Sequence, residues 1–146
     1  MGEQNVKLNR DEATNQAFMK ALLTEVNALE RLLDAGLIES GVKRIGAEQE
    51  MFLIDKAHKP ALKALDVLEV IDDDRFSHEL GLFNLEANRS PHRLEGNCLS
   101  LMEAEAQQIY QHARETAARF DCDIALVGIL PTLTKDNLGL DSMVPT

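Results

Sequence analysis

Between residues 44 and 55 the chain reads RIGAEQEMFLID, a stretch of β-strand character into which two carboxylates, Glu48 and Glu50, are set two positions apart. Side chains alternate across a strand, so Glu48 and Glu50 share a face with Gly46, Phe52 and Ile54, while Ala47, Gln49, Met51 and Leu53 point to the other face. If the shared face is covered, the two like charges must be neutralised by protons, cationic partners or metal ions. If it is open to water, they carry no such demand. The chain is thus bound to form a sheet with one side suited to a core and another on which acids are tolerated or used.

The rest of the pattern supplies the layers around that sheet. Ala17, Phe18, Ala21, Leu22, Val26, Leu29, Leu32 and Leu33 recur mostly at three-and-four spacing, which predicts an amphipathic, core-packing helix with Asp11 as N-cap and Gly36 as its stop. KAHKP, ending at Pro60, reads as the exit turn of the first strand. ALKALDVLEVI gives a short helix or a helix–extended mix, and DDDR at 72–75 a solvated turn. In SHELGLFNLEANRSP, Leu82, Asn84, Glu86 and Asn88 alternate with Phe83, Leu85 and Ala87, the pattern of a strand with a polar face. Residues 95–120 predict a second long helix, capped by Asn97 or by a Ser100/Glu103 capping box, with Leu101, Ala104, Ile109, Ala113, Ala117 and Phe120 on its buried side. CDIALVGILP reads as an apolar strand over 123–130, covered on both faces. The expected architecture is α+β: a small, mainly antiparallel sheet with two long helices packed on one face. Residues 1–10 are expected to be loose, and 11–146 to form a single domain.

Composition narrows the function. Against 25 acids stand 15 bases, a formal net charge of −10, with no Lys/Arg block to track a phosphate backbone, so nucleic acid is excluded as a partner. No apolar run is long enough to span a bilayer and the first residues lack the apolar core of a signal peptide, so the expectation is a cytoplasmic protein with no membrane partner. Cys98 and Cys122 form no CxxC pair and are expected as free thiols. The polar, turn-forming ending LTKDNLGLDSMVPT reads as part of something longer.

Adjacent strands lie about 5 Å apart and alternate positions along one strand about 7 Å apart, so Glu48, Glu50 and Glu86 on neighbouring strands fit a shared cluster of hard cations. Mg²⁺ suits such ligands: it takes oxygen, keeps some of its waters and shares its remaining positions with phosphates. The plain alternative for an E-x-E pair in so acidic a chain is a solvated strand face. There is no GxGxxG or P-loop, so a nucleotide site here would be metal-based.

GAEQEMFLID, HELGLFNLEANRSP and CDIALVGILP resemble, in order and spacing, the N-terminal part of glutamate–cysteine ligases and related carboxylate–amine ligases, over about residues 40–135. The resemblance implies a partial glutamine-synthetase-like fold, with ATP as co-substrate, Mg²⁺ as cofactor and glutamate and cysteine as substrates joined through an acyl phosphate. It implies Glu48, Glu50, Glu86 and Glu79 as metal ligands, and a fragment that is inactive alone because later strands are missing. Glu79 fits least well, because positions seven apart on a straight strand lie on opposite faces and about 23 Å apart, so a bulge or turn at Gly81 is required. Gln49 stands where many relatives carry another acid, and GILPTL replaces the more usual Gly-Thr-His-Pro.

Arg89 and Arg93, just after the second acidic strand, are candidates for meeting an anionic substrate, with a surface salt bridge as the alternative, and Asn88 joins Arg89 as a candidate substrate-binding residue. A zinc site using His78 and His92 lacks tight ligand spacing. The rival to the ligase reading is a non-catalytic binding or assembly module with the same fold, forming a homo-oligomer through an open sheet edge.

Overall fold

The computed structural model describes residues 11–145; the expected loose segment 1–10 and Thr146 lie outside them. The chain divides into two compact units, one ending at Lys43 and the other running over Arg44–Pro145.

In the first unit, α1 spans Glu12–Asp34. Its start is the expected cap, the Asp11 carboxylate accepting from the Thr14 N–H at 2.7 Å. It ends at Gly36, whose φ of +66° lets Gly36 N–H reach the Leu33 carbonyl and Leu37 N–H the Leu32 carbonyl, the paired bonds of a Schellman stop. The expected role in a core is not met: none of the residues of α1 is buried. Helical periodicity marks a face as apolar without specifying which surface covers it.

The second unit opens with β1 (Arg44–Ile45) and β2 (Glu48–Ile54), then α2 (Ala64–Ile71), β3 (Phe76–His78), β4 (Asn84–Asn88), β5 (His92–Arg93), α3 (Cys98–Ala117) and β6 (Asp123–Ala125). The main sheet has the order β3-β4-β2-β6 with every neighbouring pair antiparallel, and β1 pairs with β5 separately. The two faces divide as the alternation requires. Met51 and Leu53 of β2, Leu85 and Ala87 of β4, Phe76 and Ile124 form one buried layer with Ala64, Val67 and Ile71 of α2 and Ile109, Ala113 and Ala117 of α3. The helices on this face are therefore α3 and the short α2, not two long helices. On the opposite face Phe52 and Ile54 pack with Phe83 and Leu130, the Phe52 and Phe83 rings stacked at 6.2 Å.

Several local expectations change. The strand expected over 123–130 stops at Ala125, with Ile124 buried and Asp123 and Ala125 half-buried; Leu126, Val127 and Ile129 are exposed. α3 starts at Cys98 with no side-chain cap from Asn97, which leaves the Ser100/Glu103 pair inside the helix, and Leu101 is exposed. The acidic turn is not simply solvated. Asp73 takes Arg75 in a two-point ion pair at 2.7 to 3.3 Å, which holds its carboxyl down at about 2, and Arg75 also reaches Glu105 of α3 at 3.4 Å. The exit turn after β2 forms as read, with the Asp55 carboxylate accepting from the Ala57 and Lys59 N–H groups. Cys98 and Cys122 are free and buried, and burial pushes the Cys122 thiol up.

Candidate metal centre on the sheet

The register of three strands assembles the acids. Glu50 of β2 stands directly opposite Glu86 of β4, and Glu86 is opposite Ser77 of β3, so the three positions form one row across the sheet. Two residues beyond Ser77 is Glu79, on the same face by alternation. Glu50, Glu79 and Glu86 each bring one carboxylate oxygen to within 4.8 Å of the others.

Glu79 reaches this position because residues 76–88 form a hairpin and not one strand. β3 ends at His78, the chain turns over 80–83 with Asn84 N–H returning to the Gly81 carbonyl at 3.0 Å, and β4 runs back alongside. A seven-residue separation that is long on a straight strand becomes a short diagonal across two paired strands. Gly81 is the required turn position: a Cβ there would lie 2.9 Å from the Phe83 ring.

Glu48 is not among the three. It is exposed, pairs in register with Asn88 and lies one pleat further along β2, about 7 Å from the Glu50 position. Asn88 meets the cluster by donating to Glu86 Oε1 at 2.9 Å, and Ser77 Oγ donates to the same oxygen at 3.4 Å. Arg89 does not face the acids. It follows Asn88 on the other side of the chain and its Nη1 donates to the Met102 carbonyl of α3 at 3.4 Å, so the structure turns it to the helix side. His92 is on that side too, 3.8 Å from Glu105, while His78 faces the Glu79 carbonyl at 3.2 Å; the two histidines share no site.

The electrostatics follow from the geometry. Two full charges about 5 Å apart repel by roughly 1 kcal/mol in water and 3 to 4 kcal/mol at the effective dielectric of a protein surface. The facing pair divides this cost unequally. Burial and the facing Glu86 push Glu79 above the usual carboxylate range, while Glu79, with the bonds from Asn88 and Ser77, holds Glu86 below it. A divalent cation held by these carboxylates would offset their repulsion.

Sequence reasoning missed Ser77 and Asn84. Asn84 is on the Glu86 face, its Oδ1 is buried, and this oxygen has no hydrogen-bond partner among the described residues. The alternation of β4 marks the Asn84 face; Ser77 becomes visible only once the hairpin is known. A separate hollow of about 340 Å³ lies at the other end of β2, lined by Asp55, Lys56, His58, Asp121, Cys122 and Asp123 among others. Its charges already have partners: Lys56 with Asp121, Asp123 with Arg114 and Asp55 with its own turn.

Compared with known protein families, curated proteins and solved structures, the chain finds no match. No helix among the described residues is long and apolar enough to cross a membrane.

Proposed function

We propose that Glu50, Glu79 and Glu86 hold Mg²⁺ in an ATP-dependent carboxylate–amine ligase of the glutamate–cysteine ligase type, of which this chain is the front part. The observation that carries the reading is the convergence of three carboxylate oxygens within 4.8 Å on one sheet face. The donor set fits the ion. It is all oxygen and hard, and three carboxylates leave positions on a six-coordinate ion for waters and phosphate oxygens. The buried Asn84 Oδ1 on the same face is a further oxygen in want of a positive partner.

When bound, Mg²⁺ would neutralise and align the phosphates of ATP for transfer to the substrate carboxylate. The chain's own residues do the positioning. β2 and β4 fix Glu50 and Glu86 opposite each other, and Asn88 and Ser77 hold the Glu86 carboxylate in one rotamer. Glu79, held at the hairpin end, would supply the third carboxylate oxygen. Glu48, one pleat away, is the acid best placed to meet a second ion or the waters of the first. The acyl phosphate and its attack by an amine need groups to hold the nucleotide and the amino-acid substrates, and this reading assigns those to sequence outside the chain. The chain alone is therefore expected to bind the ion and not to turn over.

Mg²⁺ binding by the chain, measured by calorimetry, tests the reading; it should weaken at least about tenfold in Glu86→Gln, and undiminished binding there refutes it. The assembly-module alternative is supported by the edge position of β6, followed by exposed Leu126, Val127 and Ile129. It predicts self-association in sedimentation and no Mg²⁺ binding at the three acids.

A further inference from the structure

The tip of the β3–β4 hairpin is tied down from outside by segment 140–145. Leu82 N–H donates to the Ser142 carbonyl and Val144 N–H donates to the Leu80 carbonyl, each at 2.8 Å, with Gly81 opposite Met143 in a single antiparallel bridge. Ser142 is itself buried. From the other side the Leu82 carbonyl accepts from Ala64 N–H at the start of α2, also at 2.8 Å. The backbone over 80–82 is thus held on two sides. Glu79 sits between this tied segment and the last β3–β4 pair, His78 with Leu85.

That clamping matters because Glu79 is aimed at two other acids. Three carboxylates with oxygens within 4.8 Å repel when ionised, and a hairpin tip free to bend would let Glu79 swing into water. We infer that segment 140–145 is a strap that positions Glu79 against Glu86 and Glu50, so that engagement of the strap sets the geometry of the acid cluster. Its bearing on a cation rests on the metal reading above; the positioning of Glu79 does not. Val144 and Ser142 are then positioning residues acting through the backbone of Leu80 and Leu82.

Val144→Pro tests this directly in the 146-residue chain, because it deletes the N–H that meets Leu80. The preceding Met143 is at φ −101° and ψ 153°, an extended conformation that proline accepts after it. Val144→Ala keeps the donor and is the control. The readout is the position of the Glu79 side chain against Glu86, followed by NMR as nuclear Overhauser contacts across the hairpin, with Mn²⁺ as probe ion for affinity. In the parent and in Val144→Ala, Glu79 should show those contacts. In Val144→Pro they should be lost, with Mn²⁺ affinity lower by at least about tenfold. Unchanged contacts, with amide exchange at Leu82 showing the strap open, overturn the inference. Should Val144→Pro fail to fold, Val144→Gly loosens the strap while keeping its donor, and is expected to weaken the contacts part of the way; no change there overturns the inference equally. If Glu79 responds as stated but Mn²⁺ does not bind the parent chain, the strap stands and the metal reading falls.

Discussion

Glu79 and Glu86, seven residues apart in the chain, bring carboxylate oxygens to within 4.8 Å of each other across the β3–β4 hairpin. Burial and the facing Glu86 push Glu79 above the ordinary carboxylate range, while Glu86 is held below it. The sign for Glu79 is set by its raised value. The folded state binds its proton more tightly than the unfolded chain does, so this contribution is present at low pH and is lost as pH rises through the folded value. Glu79→Gln removes the ionisable partner and should raise stability at neutral pH, by about 0.2–1 kcal/mol for a partly solvated pair. Urea melts at pH 5 and pH 8 check this, with the gain larger at pH 8.

Asp73 has the opposite sign. Its carboxyl is held at about 2 by Arg75, so its stabilising contribution is complete above the ordinary value near 3.8 and is lost as pH falls toward 2. Glu105, held below its usual value chiefly by the Ser90 N–H and hydroxyl and then by Arg75, acts in the same direction. Asp73→Ala leaves the part-buried guanidinium of Arg75 with only the longer contact to Glu105, and should cost about 1–3 kcal/mol at pH 7 and little at pH 2. Denaturant melts of the variant at the two pH values measure it.

Gly81→Ala should be costly for a residue in a turn. The new methyl would stand 2.9 Å from the Phe83 ring, which is buried and stacked on Phe52 and so has no free direction in which to yield. A loss of about 1–3 kcal/mol is expected. It should come with a displaced Glu79 carboxyl resonance, whereas Gly96→Ala, whose methyl would meet nothing within 4 Å but whose φ is +58°, should cost only backbone strain of about 1 kcal/mol and leave Glu79 unmoved.

The core layer makes a simpler prediction. Met51 and Leu85 are fully buried on adjacent strands, directly paired in register, on the helix face. Either residue changed to alanine should lose about 2–5 kcal/mol in thermal or urea unfolding, and an effect under 1 kcal/mol would contradict the packing described.

The parts of this arrangement legible in the sequence are those governed by local period. The alternation in EQEMFLI placed Glu50 with Phe52 and Ile54, and Met51 with Leu53, and the faces are as read. The caps of α1 and the Asp55 turn follow from side chains bonding to backbone a few residues away, and they too were legible. Glu79 was not. A period of two cannot distinguish one long strand from strand, turn and returning strand, and β3 is only Phe76–His78, too short to declare itself beside an acidic turn. The same limit hid Ser77 beneath Glu86. Arg89 looked free to meet a substrate because nothing local shows that α3 offers it the Met102 carbonyl. The end of β6 at Ala125 was illegible for a related reason: LVGIL is apolar enough for a covered strand, and only the register shows that its pairing with β2 stops where Ala125 meets Phe52.

The most direct test of the central claim is Mn²⁺ binding to the 146-residue chain, followed by electron paramagnetic resonance with Mg²⁺ as competitor. The parent should bind Mn²⁺ at a site that Mg²⁺ displaces, and Glu50→Gln, Glu79→Gln and Glu86→Gln should each weaken binding at least about tenfold, with Glu48→Gln weakening it less. Binding that is absent in the parent, or that survives the Glu50→Gln/Glu86→Gln double variant undiminished, would contradict the assignment of a metal centre to this sheet.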